Sequence, residues 1–291
     1  MYPWLSGLYT ELVGRYDASK LHHGLLFMGP RDVGKGQLSE QLAKALLCKS
    51  ETKGCDTCKS CLLIKAGSHP DLHTITTDKS QIGVDAVRLA ISKVNQTSQL
   101  SGNKVIIIQT VELMSESASN ALLKTLEEPT PNTYLLMTTN EPQRLLPTIL
   151  SRCEKLLVAL PNFEQSCSWL ESIGVTAPTK TALLAHGSSP ITFKNELEDS
   201  ETKGFDDFTE TLRKLKSGSE TANRAALQWQ SEASKVTNWL GQYWIEEYKK
   251  NKNTKAYGNY QTCLSSAKRL NHPGLNKSLI LNTLFGEITC L

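Results

Sequence analysis

The sequence predicts an α/β domain, a parallel-sheet P-loop domain, followed by an all-α region. Three observations carry that expectation. Short aliphatic runs alternate with helical patterns over residues 1–160. A glycine-rich G-x-x-x-x-G-K motif directly follows the first run. After Leu160 no strand-like run recurs. Strands alternating with helices build a parallel sheet covered on both faces.

Each element has a local reason. Leu25-Leu26-Phe27-Met28 reads as a buried strand, and an amphipathic helix then runs to about Leu47. Val105 to Ile108, Tyr134 to Thr138 and Leu156 to Val158 read as further strands. Between the second and third lies a helix that Ser115 or Ser117 can cap and Pro129 stops. Ala118, Ala121, Leu122, Thr125 and Leu126 give it one apolar face. Pro161-Asn162 reads as a hinge. Short helical patterns follow around Cys167-Trp169-Leu170 and Thr181 to Ala185. From residue 201 onward, Ala226, Trp229, Ala233, Val236, Leu240, Tyr243 and Trp244 keep a helical stripe. Tyr260, Cys263, Leu264, Ala267 and Leu270 keep another, and Leu275 to Ile288 form a last one.

Composition bounds the class. A chain of 291 residues is long enough for about two domains, and 39% apolar residues suffice for real cores. A membrane span needs about 20 apolar residues, and no run approaches that. Met1-Tyr2-Pro3-Trp4-Leu5 lacks a basic segment and an apolar segment, so a secretory signal is not expected and the cytoplasm is. With 32 Lys+Arg against 29 Asp+Glu, the charge of +3 does not by itself argue for nucleic acid.

Gly29-Pro30-Arg31-Asp32-Val33-Gly34-Lys35 sits between a strand and a helix, the context a phosphate loop requires. Backbone amides and the helix N-terminus suit phosphate oxygens, and Lys35 is placed to reach the outer phosphates. The next position needs a hydroxyl for Mg²⁺, and here it is Gly36. The strand ending at Ile108 should lead into an Asp-Glu pair, and Gln109-Thr110 stand there instead; the nearest acid is Glu112. Three requirements for hydrolysis fail together, so no ATPase activity is expected. Whether ATP or ADP still binds stays open, because an inherited strand–helix turn explains Gly29, Gly34, Lys35 and Gly36 equally well.

Four of the eight cysteines, Cys48, Cys55, Cys58 and Cys61, fall within 14 residues. Four thiolates at such spacing suit a closed, structural Zn²⁺ site. His69 and His73 follow, but His69-Pro70-Asp71 reads as a loop. Cys153, Cys167, Cys263 and Cys290 are isolated and read as core. Arg152, in Ser151-Arg152-Cys153, is either a solvated surface residue or a finger aimed at a neighbour's γ-phosphate.

Together these motifs resemble the bacterial clamp-loader AAA+ family. The most specific stretch is Ser119-Asn120-Ala121-Leu122-Leu123-Lys124-Thr125-Leu126-Glu127-Glu128-Pro129. It is joined by the cysteine module, by Thr138-Thr139-Asn140 at the sensor-1 region and by Ser151-Arg152-Cys153. The resemblance implies an AAA+ domain over 1–160 with a zinc module at 48–61, a small helical lid over 161–200 and a helical collar over 201–291. It implies a subunit of the DNA polymerase III holoenzyme that helps load the sliding clamp onto primed DNA. Its partners would be ATPase subunits of the gamma/tau type and a delta-type subunit, with clamp and primer-template reached through the complex. Gly36, Gln109 and Thr110 depart from the hydrolysing members, and Pro190 after Gly187-Ser188-Ser189 removes the sensor-2 arginine. What remains is a member that serves its neighbour through Arg152, the isolated chain being monomeric. Two alternatives are an active P-loop ATPase that recruits Glu112 and a zinc-dependent DNA-binding regulator.

Basic residues exceed acidic ones over 201–291, and Lys249-Lys250-Asn251-Lys252-Asn253-Thr254-Lys255 is the densest run. Both a backbone-binding patch and a solvated loop between helices account for it, the loop with fewer assumptions. Lys124 lies off the apolar stripe, where DNA or a partner can reach it.

Overall fold

The computed structural model describes residues 1–77, 80–100, 102–199, 203–270 and 274–289. The chain divides into two compact units, Met1–Gln165 and Ser166–Leu291.

The first unit is built on five strands, β1 Gly24–Met28, β2 Leu72–Ile75, β3 Lys104–Ile108, β4 Thr133–Thr139 and β5 Glu154–Leu157. All pairings are parallel and the order is β2-β3-β4-β1-β5. Its helices are α1 Ser6–Asp17, α2 Lys35–Leu47, α3 Lys59–Lys65, α4 Val84–Val94, α5 Glu116–Glu127 and α6 Pro147–Leu150. Strand β3 is buried at every residue because helices cover both faces. One core packs Leu26, Ile106, Ile108 and Leu135 against α4 and α5. The other packs Leu25, Phe27, Val105, Ile107 and Leu136 against α1 and α2.

Four of these strands stand where the aliphatic runs predict them. The fifth, β2, was hidden because Leu72-His73-Thr74-Ile75 is a half-exposed edge strand with no continuous apolar run. Ser115, not Ser117, caps α5: its side chain accepts from the Ala118 amide at 3.1 Å. The helix ends at Glu127, before Pro129.

Among its described residues, the second unit has only helices as regular elements, joined by turns. It comprises α7 Phe163–Ser172 (which begins just inside the first unit), α8 Lys180–Ala185, α9 Pro190–Glu198, α10 Phe205–Lys216, α11 Ala222–Gln228, α12 Ala233–Asn251, α13 Thr254–Arg269 and α14 Lys277–Thr289. Asn162, expected as a hinge residue, caps α7 reciprocally: its side chain accepts from Gln165 N at 2.8 Å, and its own amide donates to Gln165 Oε1 at 3.0 Å. Pro190 occupies the first turn of α9 behind the Ser189 cap, a position where its missing N–H costs nothing.

The core of this unit centres on Trp229, Trp239, Trp244, Phe208 and Phe285. The predicted stripe from Ala226 to Trp244 is interrupted by a turn at Gln230–Glu232, so it runs over two helices rather than one. His186 and Glu196 approach to 3.0 Å and Lys235 reaches Glu196 at 2.9 Å. Burial alone would raise the Glu196 carboxyl; the His186 and Lys235 contacts outweigh it and hold it below the ordinary value. In the basic run, Lys249 pairs with Glu246 and Lys250 with Glu247, and Lys252 lies over the Tyr248 ring. Cys263 is buried as expected, Cys153 and Cys167 are half-buried, and Cys290 lies outside the described residues.

Candidate nucleotide loop, cysteine module and arginine

In an open parallel sheet, ligands sit beyond the carboxyl ends of the strands. That edge carries Gly29–Gly36 after β1, Gln109–Glu112 after β3 and Asn140 after β4. Gly29 is required: a Cβ there would lie 2.3 Å from the Val158 carbonyl oxygen. Gly34 has φ of +98°, and a Cβ would meet the Tyr2 ring at 2.6 Å and Leu5 at 2.8 Å. The N-terminal turn thus lies directly on the loop. The Tyr2 amide donates to Gln37 Oε1 at 2.8 Å and the Trp4 indole donates to Val33 O at 2.9 Å.

Lys35 is buried and turned onto the chain itself. Its Nζ donates to Gly29 O at 2.9 Å, to Pro30 O and to Asn140 Oδ1 at 2.8 Å. Burial lowers its amine to about 8, against the opposing pull of Glu112. Asn140 donates to Glu112 Oε1 through its backbone at 3.1 Å and its side chain at 3.0 Å. Glu112 is itself buried, and its Oε2 has no hydrogen-bond partner among the described residues.

Thr138 and Thr139, expected with Asn140 in a sensor-1 region, have structural partners. Thr138 Oγ1 accepts from the Thr110 amide at 3.1 Å, and Thr139 Oγ1 from the Glu141 amide at 3.1 Å. Thr110 takes a left-handed backbone, φ 52°. A Cβ at Gly36 would sit 3.4 Å from the Gln109 amide, an ordinary contact. Space therefore does not explain the missing hydroxyl. Sequence reasoning reached the loop and Asn140 separately; the Lys35–Asn140–Glu112 relay that joins them shows only in the fold.

The cysteine module extends from the C-terminal end of α2 to α3. The sulfurs of Cys48, Cys55, Cys58 and Cys61 all lie within 4.8 Å of one another. Cys48 Sγ is 3.6 Å from Cys55 Sγ and 3.9 Å from Cys58 Sγ. A tetrahedral site with Zn–S of ~2.3 Å requires sulfurs ~3.8 Å apart, so the donor set fits zinc. Backbone amides of Cys55, Cys58 and Cys61 donate to Cys48, Cys55 and Cys58 sulfurs at 3.5, 3.3 and 3.5 Å. Hydrogen bonding from Thr57 lowers Cys55, bonding from the Cys61 amide lowers Cys58, and burial raises Cys61.

His69 belongs to the module's support. Ser60 Oγ donates to Leu47 O at 2.7 Å and so accepts from His69 Nε2, also 2.7 Å away. His69 Nδ1 accepts from the Asp71 amide at 3.1 Å. Both nitrogens are used in the neutral tautomer, consistent with burial lowering its pKa.

Arg152 stands before β5, at the amino edge of the sheet, and its carbonyl faces Gly24 at the start of β1. A strand of five residues spans ~16 Å, so the phosphate loop lies at the far end of the same strand. The guanidinium Nε donates to Glu127 Oε1 at 2.7 Å, and Nη2 contacts the same oxygen. Nη1 donates to Thr148 O at 3.0 Å and Ser151 Oγ at 3.3 Å.

The parallel sheet, the G-x-x-x-x-G-K loop after β1 and the helical second unit define a P-loop-type α/β protein followed by an all-α unit, with Gly36 where the loop's hydroxyl residue would stand. The family described as "DNA polymerase III, delta subunit" matches residues 5–162, more than half of the sequence, and the chain belongs to it. It is 39% identical over 199 residues to DNA polymerase III subunit delta' of Pseudomonas aeruginosa, covering 66% of this chain and 60% of that one. It is 40% identical over 173 residues to the subunit of the same name in Escherichia coli, covering 58% of this chain and 52% of that one. The aligned part spans between about half and three fifths of these relatives' length. Among solved structures, a DNA polymerase III gamma subunit-related protein of Thermotoga maritima superposes with a TM-score of 0.57, at 17% identity and over 98% of each chain, a likeness of fold.

Proposed function

We propose that this chain is a non-hydrolysing clamp-loader subunit of a DNA polymerase III-type holoenzyme. It lends Arg152 to the ATP held by a neighbouring ATPase subunit. The observation that supports this best is the separation of its two phosphate-type features. Lys35 and Arg152 stand at opposite edges of one sheet, so the arginine has no access to its own loop. An arginine so placed can reach a nucleotide phosphate only across an interface with unlike sides, as in a hetero-oligomeric arc. Its own loop offers no hydroxyl at Gly36 and no acid at Gln109 or Thr110, and Lys35 is engaged internally.

Cys48, Cys55, Cys58 and Cys61 hold a structural zinc in this reading, pinning α3 against α2. Residues 161–200 act as a lid and 201–291 as a collar contacting gamma/tau-type and delta-type subunits. The sliding clamp and primer-template DNA are met through the assembly, in the cytoplasm. Lys124 is exposed on α5, which suits contact with DNA or a partner.

The test is co-purification with the ATPase subunits, followed by clamp-stimulated ATP turnover. Arg152→Ala should assemble and lose the gain in turnover, in a class of contact worth roughly 10³–10⁵ in rate. Assembly with undiminished turnover rejects Arg152 as a finger.

One observation favours a second reading, an active P-loop ATPase. Glu112 is a buried acid beside Asn140 with an oxygen to spare. Magnesium-dependent turnover by the chain alone, lost in Lys35→Ala, would establish it.

A further inference from the structure

Arg152 is not a loose surface arginine. All its guanidinium nitrogens are engaged: Nε and Nη2 by Glu127 Oε1, Nη1 by Thr148 O and Ser151 Oγ. The plane of the group is therefore held from two sides. Of five N–H donors on a guanidinium, one on Nη2 is left uncommitted by these contacts.

Core packing brings the pair together. Glu127 is the last residue of α5, and the preceding Leu126 carbonyl is 2.8 Å from His23 Nε2, which ties the helix end to the start of β1. A Cβ at Gly24 would lie 3.0 Å from Leu126 Cδ2 and 3.6 Å from Arg152 O. Gly24, at the start of β1, thus lies beside both the Leu126 side chain at the end of α5 and the Arg152 carbonyl. The negative end of the α5 dipole further favours a cation there.

Both side chains keep substantial exposure, 33% for Arg152 and 48% for Glu127. An ion pair this exposed adds little to folding. What it supplies is orientation of a long, flexible side chain. A group that stabilises a transition state is effective when it is ordered beforehand.

We propose that Glu127 is a positioning residue: it fixes the rotamer in which Arg152 meets the neighbouring subunit's γ-phosphate. This rests on the reading of Arg152 as a finger. Glu127 touches no nucleotide; it acts only through Arg152.

The experiment uses the reconstituted assembly with its ATPase subunits, sliding clamp and primed DNA, and reads kcat and KM for ATP. Glu127→Ala should lower kcat about tenfold, within the ~10²-fold that a misplaced group can cost, with a smaller change in KM. Glu127→Gln keeps an acceptor oxygen at the same reach and should recover most of that loss. In an Arg152→Ala background, Glu127→Ala should add nothing. Should Glu127→Ala not assemble, Glu127→Asp replaces it, keeping the charge and losing the reach. An unchanged or raised kcat, or an equal loss with and without Arg152, overturns the proposal. If Arg152→Ala itself leaves turnover intact, the finger reading falls in its own arm and the positioning role falls with it.

Discussion

Lys35 donates to the side-chain oxygen of Asn140 at 2.8 Å, linking residues 105 positions apart in sequence. Asn140 in turn donates to Glu112. The cation of the phosphate loop is thus connected to an internal acid, in the place where a nucleotide-binding loop directs it at phosphate. Tyr2 and Leu5 lie over the same loop at Gly34.

This burial has a pH signature. The Lys35 amine sits at about 8 in the folded chain against an ordinary 10.5. Between those values the unfolded chain binds the extra proton, so the penalty on folding is full below about pH 8 and disappears as pH rises to 10.5. Denaturant unfolding of wild type and Lys35→Met across that window should show the difference moving in favour of wild type, by about 1 kcal/mol or more. A flat difference would mean that Lys35 is not buried as a cation.

Removing metal should act locally. Metal analysis of the purified chain should find one zinc per chain, and Cys58→Ser should lower that occupancy. Chelation should release α3 and increase amide exchange at Leu47 and Ser60, whose backbone and hydroxyl are joined at 2.7 Å. Zinc binding should weaken in acid, because thiolates are the ligands and protons compete for them. Full zinc content in Cys58→Ser would remove this cysteine from the ligand set.

Glu196 makes the opposite pH prediction to Lys35. Its carboxyl is held below the ordinary 4.5 by His186 and Lys235 despite burial. A depressed carboxyl contributes stability above its unfolded value and loses it as pH falls through the folded one. Glu196→Gln should cost ~1–3 kcal/mol at pH 7, and the gap should narrow below about pH 4. Equal stability at pH 7 would contradict the buried network.

Much of this molecule is legible from residue order. Continuous aliphatic runs announce β1, β3 and β4 because a strand buried on both faces has to be apolar throughout. The four cysteines announce their module because ligand spacing is local. Edge strand β2 is concealed, since one half-solvated strand needs no hydrophobic run. Glu127 and Glu112 carry no local signal either. Glu127 reads as one more exposed acid at a helix end, and Glu112 as an acid in the wrong place. Their roles depend on contacts across 25 and 28 residues, which only the sheet brings together.

The most direct measurement is magnesium-dependent ATP hydrolysis by the purified chain alone. A loop that lacks a hydroxyl at Gly36 and acids at Gln109 and Thr110, with Lys35 held by Gly29, Pro30 and Asn140, predicts no turnover above the buffer rate. Turnover of about 1 s⁻¹ or faster, in the range of working enzymes and abolished by Lys35→Ala, would contradict it.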